Sequence, residues 1–293
     1  MPRHVYSSER IGNEKFRLAE GPVWIAARNS FVFVDIEGKA ICEWRPDGTT
    51  GGNGVRRISM PDRVGFIVPI DDCCVLAGVR DTLTIVDLDS GDRALYFSLR
   101  LSPRLRFNDG KAGPDGTLYA GVMAIDQSGP NAQGSGALYI LRGHTILQVL
   151  PEMTIPNGLA WSPDGGTLYH VDTPTHTVSA YPIRPDGTLE KGTAMIRIPE
   201  TDGAPDGLCA DDAGNLWIAL WGGKKVACFD PKSGERLAEI EVAGLHVSCP
   251  SFGGRKRNLM MITTGEAETE AGAIFRAELP VSGPPPFFFR LNS

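Results

Sequence analysis

The chain has 293 residues, 42% of them apolar, and a formal charge of −6 at neutral pH. The negative balance and scattered basic residues give no reason to expect a nucleic-acid partner, and no stretch reaches the roughly 18 apolar residues of a membrane helix. The opening Met1-Pro2-Arg3-His4-Val5-Tyr6 lacks an apolar run and so a secretory signal, and six cysteines without framework spacing read as reduced thiols, which places the chain in the cytoplasm.

Glu20-Gly21-Pro22-Val23-Trp24 opens the first strand-like unit. It continues through Ser30-Phe31-Val32-Phe33-Val34-Asp35 and Ala40-Ile41-Cys42-Glu43-Trp44 to the turn Pro46-Asp47-Gly48. A weaker unit runs from Phe66 to Leu88. The third carries Pro114-Asp115-Gly116 before Thr117-Leu118-Tyr119-Ala120-Gly121. The fourth has Gly158-Leu159-Ala160-Trp161, Pro163-Asp164-Gly165, Thr167-Leu168-Tyr169-His170-Val171 and Pro185-Asp186-Gly187. The fifth repeats the pattern from Gly207-Leu208-Cys209-Ala210 to Leu216-Trp217-Ile218-Ala219-Leu220, and the sixth holds Leu259-Met260-Met261-Ile262-Thr263. Arg255-Lys256-Arg257 reads as a solvated hairpin turn. Pro284-Pro285-Pro286 with Phe287-Phe288-Phe289 reads as a tail whose rings pack on a blade. Short apolar runs bounded by Asp-Gly or Asn-Gly are hairpin punctuation, and no segment sustains a helical period.

Glycines open these units at Gly21, Gly65, Gly110, Gly158, Gly207 and Gly253, with gaps of 44, 45, 48, 49 and 46 residues. A period of about 40–50 residues suits a four-stranded propeller blade. The expected fold is all-β, a single six-bladed β-propeller with four-stranded antiparallel blades, forming one domain over 1–293. The blades span roughly 15–58, 59–103, 104–151, 152–200, 201–246 and 247–290, and the N-terminal segment closes the ring. Symmetry then makes the residues preceding the glycines equivalent. Glu20, Asn157 and Asp206, with Asp109 and Asn108 beside them, face one channel and form a hard-cation site.

Five local motifs in order, Leu18-Ala19-Glu20-Gly21-Pro22-Val23-Trp24, Arg106-Phe107-Asn108-Asp109-Gly110-Lys111, Pro156-Asn157-Gly158-Leu159-Ala160-Trp161, Pro205-Asp206-Gly207-Leu208 and Ser251-Phe252-Gly253-Gly254, carry a resemblance. Together they resemble the regucalcin (senescence marker protein)/gluconolactonase/luciferin-regenerating-enzyme family over roughly residues 15 to 280. That resemblance implies a six-bladed propeller with one divalent metal in its channel, held by Glu20, Asn157 and Asp206. It implies sugar-lactone hydrolysis, with Arg106 and Asn108 as substrate contacts. Asp126 falls where some members place an acidic substrate contact, although Met123-Ala124-Ile125-Asp126 departs from the usual pattern. Thr263-Thr264-Gly265-Glu266-Ala267-Glu268-Thr269 is also shorter than the loop many members have there.

Opening a lactone needs a polarised carbonyl, a hydroxide equivalent and a stabilised oxyanion, and one divalent ion serves all three. Two carboxylates and an amide suit a hard ion: Ca²⁺ is expected, with Zn²⁺, Mn²⁺, Mg²⁺ or Fe²⁺ as alternatives. Asp206 either doubles as general base or serves only as ligand. The expected activity is a metal-dependent hydrolase of carboxylic ester bonds opening aldonolactones to sugar acids, its partner a small sugar lactone. The alternatives are a metal-dependent aryl esterase or organophosphatase, and a calcium-binding propeller without turnover. Asp47, Asp115, Asp164 and Asp186 read as structural turn residues. Asp109 reads as a loop-fixing hydrogen-bond residue, Lys111 as a salt-bridge partner and Asp172 as a brace for the channel. The five histidines lack ligand spacing, and there is no Gly-x-Ser-x-Gly elbow, His-Glu-x-x-His or phosphate loop.

Overall fold

The structure, a computed structural model, describes residues 4–48 and 54–291. Met1 to Arg3, part of the segment read for a leader, lie outside them. The described chain opens with two short strands, β1 (His4–Ser7) and β2 (Glu9–Arg10). Four antiparallel four-stranded sheets follow. The first joins β3 (Ala19–Ile25), β4 (Ser30–Asp35), β5 (Ala40–Trp44) and β6 (Val55–Ser59). The second joins β7 (Val64–Pro69), β8 (Cys74–Val79), β9 (Thr82–Asp87) and β10 (Arg93–Ser98). The third joins β11 (Leu105–Ala112), β12 (Leu118–Ala124), β13 (Gly136–Arg142) and β14 (Thr145–Met153). The fourth joins β15 (Pro156–Trp161), β16 (Thr167–Asp172), β17 (Thr177–Pro182) and β18 (Thr193–Arg197). The chain ends with β19 (Ala204–Ala210), β20 (Leu216–Trp221), β21 (Lys225–Phe229), β22 (Arg236–Glu241), β23 (His246–Gly253), β24 (Leu259–Gly265) and β25 (Ile274–Glu278).

The fold is an all-β propeller, but the expectation of six separate four-stranded blades is corrected. Four blades are free-standing four-stranded sheets; the remaining strands form one nine-stranded sheet. Its halves meet where Trp221 of β20 pairs with His246 of β23, the Gly222 N–H donating to Leu245 O at 3.1 Å. The two rings stack at 4.2 Å with planes 6° apart, so backbone and side chains join there together. At the outer edges β1 adds parallel to β22, and β2 adds antiparallel to β25.

Within each blade the sequence grades from apolar to polar. All six residues of Ser30–Asp35 are buried, because a sheet packed between neighbours is covered on both faces. The outermost Arg93–Ser98 has no buried residue. Between the first two sheets Val32, Val34 and Ile41 meet Val64, Ile67 and Val75. Phe66 packs edge-on against Phe107 at 5.4 Å, and truncating such a ring costs about 3–5 kcal/mol.

The first strands β3, β7, β11, β15, β19 and β23 lie side by side in a ring, β23 returning onto β3. Each breaks register once, at Glu20/Val23, Val64/Phe66, Phe107/Gly110, Asn157/Leu159, Pro205/Leu208 and Val247/Cys249. A bulge of this kind re-aims side chains out of the ladder. In β23 the break falls at Ser248, so Gly253, the last residue of that strand, is out of phase with the other five glycines.

The turn aspartates are structural. Asp115, Asp164 and Asp186 each accept a backbone N–H two residues on, from Thr117, Gly166 and Thr188 at 3.0, 3.0 and 2.9 Å. All six cysteines are free. The tail crosses one end of the ring. Phe287 packs edge-on to Trp161 at 5.8 Å and Phe289 on Tyr96 at 5.6 Å, while Phe288 stays exposed.

Candidate functional site

The bulges of β3, β15 and β19 carry Glu20, Asn157 and Asp206, all buried. Gly21 sits at φ +52°, a left-handed conformation that glycine bears without strain, and its N–H donates to Glu20 Oε2 at 2.7 Å. At Gly158 the need is space: a Cβ there would lie 2.6 Å from Asp206 O, so only glycine lets β15 and β19 approach this closely. Asn157 Nδ2 then donates to Asp206 Oδ1 and to Thr173 Oγ1, the latter at 3.1 Å.

The charges in this wall oppose one another. Burial pushes the Glu20 carboxyl up to about 8, and the Asp109 carboxylate adds to the rise; the Gly21 N–H, Lys111 and Arg106 pull against it. Asp206 is raised well above the usual carboxylate range, first by burial and then by Glu20 and Asp109, with the Asn157 hydrogen bond opposing. Asp109 accepts the Gly110 N–H at 2.8 Å, as expected of a loop-fixing residue, but its Oδ2 is buried with no partner among the described residues.

Arg106 and Asn108 are buried together on β11. Arg106 Nη1 donates to Phe107 O at 2.8 Å and Asn108 Oδ1 at 2.9 Å, while Asn108 Nδ2 donates to Pro156 O at 3.1 Å. Arg106 Nε has no hydrogen-bond partner among the described residues. Burial pulls this guanidinium down to about 10, against the pull of Glu37 and Glu20. Asp126 makes none of these hydrogen bonds. It is exposed, accepts from Ser128 N and Oγ, and borders a separate cleft of about 620 Å³ beside Arg104.

Residues 18–266 match the family described as SMP-30/Gluconolactonase/LRE-like region. The chain belongs to that family. It is similar to regucalcin of Gallus gallus, 28% identical over 96% of this chain and 97% of that one. A solved regucalcin from Agrobacterium tumefaciens, described as a calcium-binding protein, superposes with a TM-score of 0.90 at 24% identity, covering 99% of this chain and 100% of that one. A solved gluconolactonase from Xanthomonas campestris gives a TM-score of 0.73 at 24% identity over 92% and 89% of the two chains.

In this SMP-30/gluconolactonase-like chain, two residues around the site do what their local sequence does not advertise. Thr173 orients the Asn157 amide from a short 3-10 turn, and only its place directly after Asp172 hints at it. Ser248 Oγ donates to Ala19 O at 2.6 Å, tying β23 to β3 beside Glu20. Lys111, expected in a salt bridge, instead donates to the carbonyls of Leu159 and Leu208 at 3.0 and 2.7 Å, because its stem reaches across β15 to β19. Asp172 accepts the Thr154 and Ile155 N–H groups and holds the segment entering β15.

The donor set suits a hard divalent cation. Three carboxylates, Glu20, Asp109 and Asp206, are buried here; burial and then Asp109 raise the proton affinity of Glu20, burial and then Glu20 and Asp109 raise that of Asp206, and Arg106 and Lys111 donate their hydrogen bonds to other groups. Among the described residues no three His, Cys, Asp or Glu side chains form a metal-binding group; the set here has two such carboxylates and an amide.

Proposed function

We propose that this protein opens sugar lactones to sugar acids, with a divalent metal ion held by Glu20, Asn157 and Asp206. The observation that carries the proposal is the buried Asn157–Asp206 contact beside Glu20 and Asp109, three buried carboxyl groups with no hydrogen-bonded cation among the described residues. The family description, which includes gluconolactonase, supports the reaction class, and the calcium-binding description of the Agrobacterium tumefaciens regucalcin supports the ion. The bound ion would polarise the lactone carbonyl and make a water more acidic.

The remaining work falls to side chains. Asp206 takes a proton from the attacking water. The hydroxide oxygen bonds to the carbonyl carbon, the ring C–O bond breaks, and the proton on Asp206 passes to the departing alkoxide. Arg106 stays charged at neutral pH and turns its unpartnered Nε toward the oxyanion or a sugar hydroxyl. Asn108 holds Arg106 in place through Oδ1. Asp126 serves as an acidic contact for hydroxyls lying in the outer cleft.

A pH-indicator screen of aldonolactones across Ca²⁺, Mg²⁺, Mn²⁺ and Zn²⁺ tests this, with Glu20→Gln as control. Turnover that needs a divalent ion and disappears in the folded variant is expected. A metal-loaded protein that opens no lactone would overturn it in favour of a calcium-binding propeller without turnover. Faster turnover of aryl esters than of lactones would move the substrate class.

A further inference from the structure

One ammonium links three of the ring's first strands. Lys111 leaves β11 two residues after Asp109 and ends between two main-chain carbonyls, Leu159 O of β15 at 3.0 Å and Leu208 O of β19 at 2.7 Å. The two acceptors hold equivalent places. Leu159 comes two residues after Asn157, and Leu208 two after Asp206. Each is also the residue at which its strand resumes pairing beyond the bulge, Leu159 with His170 and Leu208 with Ile218.

A bulge leaves its extra residue outside the ladder, so the backbone there is held less firmly than in the strand on either side. In β15 and β19 that stretch carries Asn157 and Asp206. The two strands are already close, since a Cβ on Gly158 would also lie 2.9 Å from the Leu208 side chain. What the ladders leave open is the offset of one bulge against the other. Lys111 fixes it, because one nitrogen can bond both carbonyls at these lengths over only a narrow range of strand placements.

The ammonium stays charged. Burial works against the charge, but Cys249, Asp109, Cys209 and Glu20 outweigh it and lift Lys111 above the ordinary lysine range. By charge alone this group opposes a divalent ion; by its hydrogen bonds it organises two of the groups that would hold one. The two effects have opposite signs, which makes them separable. We propose that Lys111 is a positioning residue for the metal site, clamping β15 to β19 so that the Asn157 amide and the Asp206 carboxylate stand at the spacing a divalent ion needs. The inference rests on the reading of Glu20, Asn157 and Asp206 as ligands.

The test uses the full chain, stripped with chelator and titrated with Ca²⁺ by calorimetry and with Tb³⁺ by luminescence, whose lifetimes in H₂O and D₂O count the waters on the ion. Lys111→Met keeps an unbranched stem and loses the ammonium. Its Ca²⁺ affinity should fall about 10- to 100-fold, and bound Tb³⁺ should carry about one more water than in the parent, because a displaced Asn157 or Asp206 leaves a place open. A lysine that only stabilised the fold would lower the urea midpoint and leave the affinity and the water count unchanged; that result overturns the proposal. Tighter Ca²⁺ binding overturns it too, since Lys111 would then contribute only a repulsive charge. If Lys111→Met does not fold, Lys111→Arg decides. It keeps the charge but presents a longer planar fork, for which the cavity of about 280 Å³ bordering Lys111 has room. Weaker Ca²⁺ binding with the charge retained supports the clamp, and parent-like affinity overturns it. A parent chain that binds neither ion overturns the metal reading itself and the clamp with it.

Discussion

Glu20 and Glu43 are both buried carboxylates on strands of the first sheet, and their proton affinities move in opposite directions. Glu20 is buried near Asp109, so burial and like charge act together and raise it against the Gly21 N–H, Lys111 and Arg106. Burial also pushes Glu43 up, but Arg28 reverses this, donating Nε to Oε1 at 3.1 Å and Nη2 to Oε2 at 3.3 Å, with Arg45 adding a contact at 3.2 Å; Glu43 ends below the ordinary range. Arg28 also reaches the exposed Asp89 at 2.7 Å. Burial alone therefore does not separate a working carboxylate from a structural one. The partner does, and carboxylates gathered without hydrogen-bonded cations mark the side of the molecule where a ligand is needed.

Substitutions can break this comparison at either end. Asp206→Asn removes the base and half of the facing charge, and should lower lactone turnover by about 100- to 10,000-fold while the fold is kept. Steady-state rates at saturating metal check this, and unchanged turnover would confine Asp206 to a ligand role. Glu43→Gln should destabilise the protein by about 3 kcal/mol, the low end for breaking a buried pair because Asp89 remains to Arg28. Glu20→Gln in chelator-treated protein should do the reverse and raise the urea midpoint. Two midpoints moving the same way would mean the channel carboxylates are compensated after all.

pH sharpens the contrast. Folded Glu20 keeps its proton up to about pH 8, whereas the unfolded chain releases it near 4.5. Its contribution is complete below 4.5 and is lost as pH rises through 8. The midpoint advantage of Glu20→Gln over the parent, measured in chelator, should therefore widen between those values. Glu43 has the opposite sign: its folded value is depressed below the ordinary 4.5, so its contribution is present above that and lost as pH falls through the folded value. The smallest effect is expected from Thr173→Val, which deprives the Asn157 amide of one acceptor. Metal affinity by calorimetry should fall about tenfold, as for other groups that orient a ligand, with little change in melting.

Much of the architecture was legible in the chain. Asp-Gly turns, short apolar runs and five correctly phased glycines led to a propeller and to the strand positions of Glu20, Asn157 and Asp206. The sixth glycine misled: the register break in β23 sits at Ser248, which carries no Asp-Gly or Asn-Gly signal. Lys111 was misread for a different reason, since local sequence reveals a charge but not the carbonyls two strands away that receive it. Asp126 follows the end of β12 and is exposed, which its local sequence did not indicate.

Repetition along the chain determined which residues open each strand, because hairpin chemistry and apolar alternation are local and act over a few residues. Tertiary structure alone decided how those strands joined and what the side chains met. Trp221 and His246 merged sheets that a period of about 40–50 residues would have kept apart, through a ring stack between residues 25 positions distant. The rise in proton affinity at Glu20 and Asp206 has the same origin. It depends first on burial and then on carboxylates brought in by separate strands, both of which exist only once the ring has closed.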